Sequence, residues 1–237
     1  MQPFVQFAYQ ILGIQLTAKQ IFAFQRYEEL LLSWSKHTNL TAIRDPEMIA
    51  IKHFLDSLTC MLALRDTAIN RVVDVGTGAG FPGIPLKIIN PAMELTLIES
   101  VEKKASFCRA VIAELNLKGV TIIADRVEKV AHQADHREGY DWAIARAVAS
   151  MPTLMEYLLP LVKVGGSALA MKGESAPLEA HQAEHACQIL GGRLRKLIPI
   201  HLPKISEDRY LVLVDKIACT PEGYPRRPGI PEKRPLI

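Results

Sequence analysis

The sequence predicts an α/β protein: a doubly wound, mostly parallel sheet with a helical cap at its N-terminal side. Three observations carry this. First, Arg71 to Val75 alternates and branches like a short buried strand, and Gly76, Gly78, Gly80 and Gly83 follow it directly. A helical run, Ile84 to Ile89, comes next, with Pro82 and Pro85 placed in or before its first turn. Strand, glycine turn and helix form the opening unit of a nucleotide-binding fold, with the ligand at the carboxyl edge of the strand. Second, strand-like runs near 71–75, 94–98, 120–124, 141–145, 166–172 and 209–215 alternate with helical runs near 101–115, 151–163 and 175–190. That order implies parallel strands joined by crossover helices. Third, the last strand follows the less regular Arg193 to Ile205, so an antiparallel hairpin could close the sheet.

Ahead of the glycine run the pattern is helical throughout. Phe4 to Leu12 is short and amphipathic and stops at Gly13. Thr17-Ala18-Lys19-Gln20 has the form of a capping box, and the helix it opens carries Ile21, Phe24, Tyr27, Leu31 and Trp34 at steps of three or four. Asp45-Pro46-Glu47 starts another helix, with Asp as N-cap and Pro at the first position; its stripe is Ile51, Phe54, Leu58 and Met61. Such stripes are core-packing faces. On this patterning residues 1–66 form the cap, 67–220 the core and 221–237 a basic, proline-rich tail, all in one structural domain. The tail, with Arg226, Arg227, Lys233 and Arg234, is expected to be extended and solvent-exposed.

A chain of 237 residues can bury one sizeable core, and 49% hydrophobic content with mixed charge excludes a disordered chain. The net charge of +3 permits a nucleic-acid partner without demanding one. Cys60, Cys108, Cys187 and Cys219 are widely spaced, as free thiols in a reducing compartment would be. Met1 to Ala18 has no basic residue before its apolar part and is broken by Gln6, Gln10 and Gln15, so it is not expected to be a signal peptide. With no membrane-length apolar run the expected location is the cytoplasm, and with no long exposed apolar seam the expected state is a monomer.

The spacing Gly76-x-Gly78-x-Gly80 alone fits a dinucleotide turn, a methyltransferase turn or a tight structural loop. Asp74, two residues before the first glycine, can brace the loop amides. Glu99 ends the next apolar run, at the position that takes ribose hydroxyls in such folds. Asp125-Arg126-Val127-Glu128 follows the third strand-like run. These three features point to a ligand-binding turn.

The chain resembles the bacterial small-subunit ribosomal RNA guanine-N7 methyltransferases, the glucose-inhibited division protein B family. The resemblance rests on Asn39-Leu40-Thr41-Ala42-Ile43-Arg44-Asp45-Pro46, His53-Phe54-Leu55-Asp56-Ser57-Leu58 and the run Val73 to Gly83. It continues with Arg126-Val127-Glu128, Ala145-Arg146-Ala147, Met171-Lys172-Gly173 and the tail from Tyr224 to Lys233. It implies the class I S-adenosylmethionine-dependent methyltransferase fold with its seven-stranded sheet, S-adenosylmethionine as methyl donor and no metal. The implied acceptor is N7 of a guanine in 16S ribosomal RNA, within the small subunit or an assembly intermediate. The family's donor-binding positions fall on Gly76, Phe81, Val127, Glu128 and Arg146; Asp74, Gly78, Gly80 and Glu99 join them from the reading of the turn itself. Relatives often have proline in place of Ala79, leucine in place of Phe81 and aspartate in place of Glu99.

Within that resemblance, Val127 and Glu128 lie where the adenine edge should sit. Guanine N7 exposes a lone pair and carries no proton, so direct in-line transfer needs alignment rather than a general base. Arg146, at the end of the fourth strand, could hold a carboxylate, a phosphate or guanine O6 and so link donor and acceptor; the plain alternative is an ion pair with Asp74 or Glu128. Lys172 could meet RNA phosphate or be an ordinary surface lysine. His53 and Asp56, three apart on a helix, could bond to one another and anchor the cap. Lys36, His37, Arg44 and the tail arginines could form a basic rim, although such charges are usually a solvated face. The runner-up is a methyltransferase for a small molecule or protein. A third reading is an RNA-binding assembly factor without catalysis, and an NAD-linked dehydrogenase fits the glycine spacing poorly.

Overall fold

The protein is described here from a computed structural model that covers residues 1–67, 69–146 and 148–237. Helices α1 (Gln2–Leu12) and α2 (Ala18–Trp34) come first. Gly13, in the left-handed conformation, ends α1, and the capping box opens α2: the Gln20 amide donates to Thr17 Oγ1 at 3.3 Å and the Thr17 amide to Gln20 Oε1 at 2.9 Å. Asp45 caps α3 (Pro46–Ile49), which runs into a π-helical turn, Ala50–Leu55, and then α4 (Asp56–Leu58) and α5 (Met61–Leu64). Wide turns of this kind often mark functional sites, and this one carries His53 and ends at Asp56.

The core follows with β1 (Arg71–Val75), α6 (Gly83–Ile89), β2 (Glu94–Ile98), α7 (Glu102–Glu114), β3 (Val120–Ile123), α8 (Val127–Val130) and β4 (Tyr140–Arg146). Next come α9 (Met151–Leu158), β5 (Val162–Lys172), α10 (Ala176–Gln182), α11 (Glu184–Ile189), β6 (Gly192–Ile200), β7 (Arg209–Lys216) and α12 (Ile230–Lys233). The sheet has seven strands in the order β3-β2-β1-β4-β5-β7-β6, with β1 to β5 parallel and β7 antiparallel to both neighbours. Strand order reverses between β1 and β4, and the carboxyl ends there open the crevice that such folds use for ligands.

The expected strands lie where the alternation placed them, and three elements differ in detail. The stretch that looked irregular, 193–205, contains β6, a nine-residue strand with a register shift between Leu194 and Lys196. The helix expected over 151–163 ends at Leu158, and Leu159–Leu161 tightens to a 3-10 turn. Pro160 has no N–H to continue the helix, so β5 begins four residues before the apolar run suggested. The helix expected over 175–190 is divided at Ala183 into α10 and α11.

Two apolar layers flank the sheet. One holds the cap, where Phe4, Phe24, Tyr27 and Phe54 are buried together with Phe81 and Phe107. Phe4 and Phe24 meet edge to face at 5.0 Å, and Tyr27 stacks on Phe81 at 5.3 Å, so the cap packs directly against the glycine loop. The other layer lies between the sheet and α9, α10 and α11.

The tail is not a free extended segment, although Arg227, Lys233 and Arg234 are exposed as expected. It folds back onto the second layer, because Glu156 on α9 is fully buried and needs a cation. Arg226 supplies it: Nη2 to Oε2 is 2.6 Å, Nε to Oε1 is 2.9 Å, and the Arg226 amide also donates to Oε1 at 2.8 Å. Arg137 donates to the carbonyls of Thr220, Pro221 and Tyr224, and Thr153 Oγ1 to that of Pro231. Arg226→Ala should therefore strand a buried carboxylate and lower unfolding free energy by about 3 kcal/mol. Urea unfolding checks this; an unchanged midpoint would show that the tail is not held this way.

Candidate active site

The glycine loop joins β1 to α6 and is held from inside by two carboxylates. Asp74, at the end of β1, accepts from Thr77 Oγ1 at 2.6 Å and from the Gly83 amide at 2.8 Å, both on Oδ2. Glu99, just past β2, accepts the Gly78 amide on Oε2 at 2.9 Å and the Val101 amide on Oε1 at 2.8 Å. Tyr27 donates its hydroxyl to the Ala79 carbonyl from the cap side. Gly76 and Gly80 have φ of 66° and 90°, which only glycine adopts readily. A Cβ on Gly76 would stand 2.8 Å from Val148, and one on Gly80 would stand 2.5 Å from Ile84 and from the Tyr27 hydroxyl oxygen.

Between the ends of β1, β2 and β3 lies a pocket whose walls include Gly76, Ser100, Arg126, Val127 and Tyr157. Ribose chemistry belongs at the end of β2 and a base beyond it, toward β3. Glu128 lines the pocket but is buried; it accepts from Arg126 at 3.1 and 3.3 Å and from the Gly229 amide at 3.0 Å. Burial and the nearby carboxylates push the Tyr157 hydroxyl up to about 12.

On the other side of the end of β4 is a cationic cleft with Lys52, His53, Asp56, Arg146, Lys172 and Arg209 among its walls. Arg146 donates to the Lys52 carbonyl at 3.2 Å and to Asp56 Oδ2 at 3.0 Å, and its guanidinium lies 4.9 Å from the centre of the Phe81 ring. Asp56 also takes Arg209 at 3.3 Å. Because a guanidinium only donates, its 3.5 Å contact makes His53 Nδ1 an acceptor. His53 Nε2 then carries the proton and donates to Thr41 Oγ1 at 2.8 Å. Burial first, then the Arg146 charge, brings His53 down to about 3, so the ring is neutral at pH 7.

The sequence profile of the GidB family, described as rRNA small subunit methyltransferase G, matches residues 20–207. A ribosomal RNA small subunit methyltransferase G from Pelotomaculum thermopropionicum is 50% identical over 225 residues, covering 95% of this chain and 94% of that protein. The chain belongs to this family. A second member, from Roseiflexus castenholzii, is 46% identical over 225 residues, covering 95% of each protein. In fold, the chain resembles a putative O-methyltransferase from Klebsiella pneumoniae at TM-score 0.62, with 13% identity over 92% of this chain and 99% of that one. That likeness is one of fold alone: the sheet and its flanking helices have the class I methyltransferase architecture.

Of the family positions, Gly76, Val127 and Glu128 face the pocket, whereas the Phe81 side chain is buried between Tyr27, His53 and Arg146. Gly78, Gly80, Asp74 and Glu99 shape the loop from beneath. Arg146 pairs with Asp56, on the cap, and not with Asp74 or Glu128. His53 and Asp56 do not bond to one another among the described residues; both meet Arg146. Lys172 is held by Glu179 at 2.6 Å and by the Ala149 carbonyl at 2.9 Å. Of the rim cations, Arg226 is spent on Glu156 and Arg44 on the Thr41, Ile43 and Ser35 carbonyls. Ala147 lies outside the described residues. Sequence reasoning missed Tyr157, Ser100, Lys52 and Arg209, which come from four distant segments with no shared motif. Among the described residues no cluster of three or more His, Cys, Asp or Glu side chains could hold a metal ion.

Asp74 is fully buried, its Oδ1 has no partner among the described residues, and burial raises its carboxyl from 3.8 to about 6. The folded protein thus binds this proton more tightly than the unfolded chain. The resulting stabilisation is complete below about pH 4 and is lost as pH rises through about 6. Asp74→Asn has nothing to titrate there. Its stability relative to the parent should climb between about pH 4 and pH 6 and level off above, in urea unfolding at stepped pH. A pH-independent difference would contradict the buried titration.

Proposed function

We propose that the protein transfers a methyl group from S-adenosylmethionine to N7 of a guanine in 16S ribosomal RNA. The observation that carries this reading is the shared wall at the end of β4. Arg146 lines the cationic cleft, Val148 lines the loop pocket two residues later, and Lys172 in the cleft holds the carbonyl of Ala149 in the pocket. The donor occupies the pocket and the guanine the cleft.

The residues fit the donor. Gly76 leaves the space that a Cβ would fill, and buried Asp74 has no partner for Oδ1 beneath the loop among the described residues. Gly76, Val127 and Glu128 line the cradle, Gly78 and Gly80 shape the loop behind it, and Glu99, at the end of β2, holds the Gly78 and Val101 amides and keeps a second lone pair on each oxygen for ribose hydroxyls. When bound, S-adenosylmethionine supplies a methyl group activated by its sulfonium.

Everything else the chain does is positioning. Guanine N7 needs no deprotonation, and His53, neutral and far too weak a base to hold a proton at pH 7, is not asked for one. A guanidinium has five N–H donors, of which Arg146 spends three on Lys52, Asp56 and His53, leaving two for guanine O6 or the donor. Phe81 beneath it and Asp56 beside it fix its plane. The guanine ring gains positive charge during transfer. A neutral His53 and the Asp56 carboxylate keep the surrounding cations from opposing that gain.

In this reading residues 1–66 are a cap that completes the acceptor cleft, 67–220 the donor-binding core, and 221–237 a strap on the core. The chain works in the cytoplasm as a monomer, on RNA within the small subunit or an assembly intermediate. No helix among the described residues is long and apolar enough to cross a membrane. Lys52 and Arg209 give the RNA salt-sensitive phosphate contacts.

The test incubates the protein with methyl-labelled S-adenosylmethionine and small subunits from a strain lacking this gene. Label should appear at one guanine N7, and not on the parent strain's subunits. Donor binding without label would favour a small-molecule or protein acceptor; no donor binding would leave the assembly-factor reading. In the same assay Arg146→Ala should lower turnover by about 100-fold. Unchanged turnover and donor affinity would remove Arg146 from the mechanism.

A further inference from the structure

The tail reaches the donor pocket. Glu232, in the four-residue helix α12, forms part of the pocket wall with Tyr157, Arg126 and Asp125. Its position is fixed by contacts already described. Arg226 clamps the tail to buried Glu156, the Gly229 amide donates to Glu128 Oε1 at 3.0 Å, and Thr153 Oγ1 holds the Pro231 carbonyl at 3.1 Å. The pocket therefore has a wall that the alternating strands and helices do not supply.

Three carboxylates line this end of the pocket, and two already have hydrogen-bond partners in the protein. Asp125 Oδ1 accepts the Arg126 amide at 2.7 Å and Lys129 Nζ at 3.0 Å. Glu128 is buried and takes Arg126 and Gly229. Glu232 makes no side-chain hydrogen bond or ion pair among the described residues, although it is close enough to Arg126 and Tyr157 to shift the titration of both. An adenine at the β3 end of the pocket presents one exocyclic amine with two N–H donors. Its deaminated counterpart presents a carbonyl oxygen at the same place, which a carboxylate repels.

We propose that Glu232 is a specificity residue for the donor: its carboxylate accepts the exocyclic amine of adenine and rejects a carbonyl oxygen there. This rests on the donor occupying the loop pocket, as proposed above. The tail is then a working part of the donor site, and its clamp on α9 sets the distance between Glu232 and the base.

The experiment measures, by titration calorimetry, the affinity of the full chain for S-adenosylhomocysteine and for S-inosylhomocysteine, its deaminated analogue. The parent protein should favour the adenine compound. Glu232→Ala should weaken S-adenosylhomocysteine by about tenfold, the scale of one hydrogen bond to a charged acceptor, and narrow the preference between the two ligands. Glu232→Gln, whose amide can donate as well as accept, should narrow it further by improving the inosine compound. Glu222→Ala, an exposed tail acid away from the pocket, should bind both ligands like the parent, and all variants should keep the parent's melting temperature. Parent-like affinity and preference in Glu232→Ala would overturn the assignment, as would equal losses in Glu222→Ala. If the parent binds neither ligand, the donor-site reading itself fails.

Discussion

Two buried carboxylates acting on backbone amides are the constraint on which the rest of the site depends. A loop with three left-handed glycines has few side chains to hold it, and its amides must be anchored from elsewhere. Asp74 does this from β1 and Glu99 from β2, so the loop's shape is tied to two adjacent parallel strands whose register is set by the sheet. The cost is a fully buried Asp74 with one oxygen that has no partner among the described residues. The cap then seals the outer side of the loop, with the Tyr27 hydroxyl on Ala79 and the Tyr27 ring on Phe81. A change in any of the three supports moves the same few peptide groups.

The second organising contact is Arg146 with Asp56. It joins the end of β4 to the helical cap across ninety positions of chain, and Arg209 from β7 closes on the other carboxylate oxygen. Three segments thus share one carboxylate, and the cleft exists because they do. The π-helical turn before Asp56 contributes directly, since the Lys52 carbonyl within it accepts one of the Arg146 N–H groups.

Local signals made the central part of this structure legible in the sequence. The β1-loop-α6 unit, the capping box at Thr17 and the N-cap at Asp45 depend on residues within a few positions of each other, so pattern suffices to place them. The walls of the candidate pocket were legible where glycine spacing or a strand end defines them, as at Gly76 and Val127, whereas Glu99, read as a ribose ligand, holds the loop amides. It was illegible where a side chain's meaning comes from a distant partner. Nothing near Glu156 announces a carboxylate that is fully buried in α9, so the tail looked like a solvated strand of prolines and charges. Its partner, Arg226, lies seventy residues on. Likewise β6 was blurred by its charges, which suit an exposed edge, and Pro160 moved the start of β5.

The same charges on β6 bear on how the molecule survives at high concentration. An open sheet ends in a strand whose outer amides and carbonyls face solvent, ready to pair with any extended chain that arrives. Here that strand carries exposed Arg193, Arg195 and Lys196, bends at a register shift, and includes Pro199, which has no amide to offer. A second β6 approaching edge to edge would bring like charges together and find its ladder interrupted. The border of the sheet is thus protected against fibril-like growth by the residues that made it hardest to read as a strand.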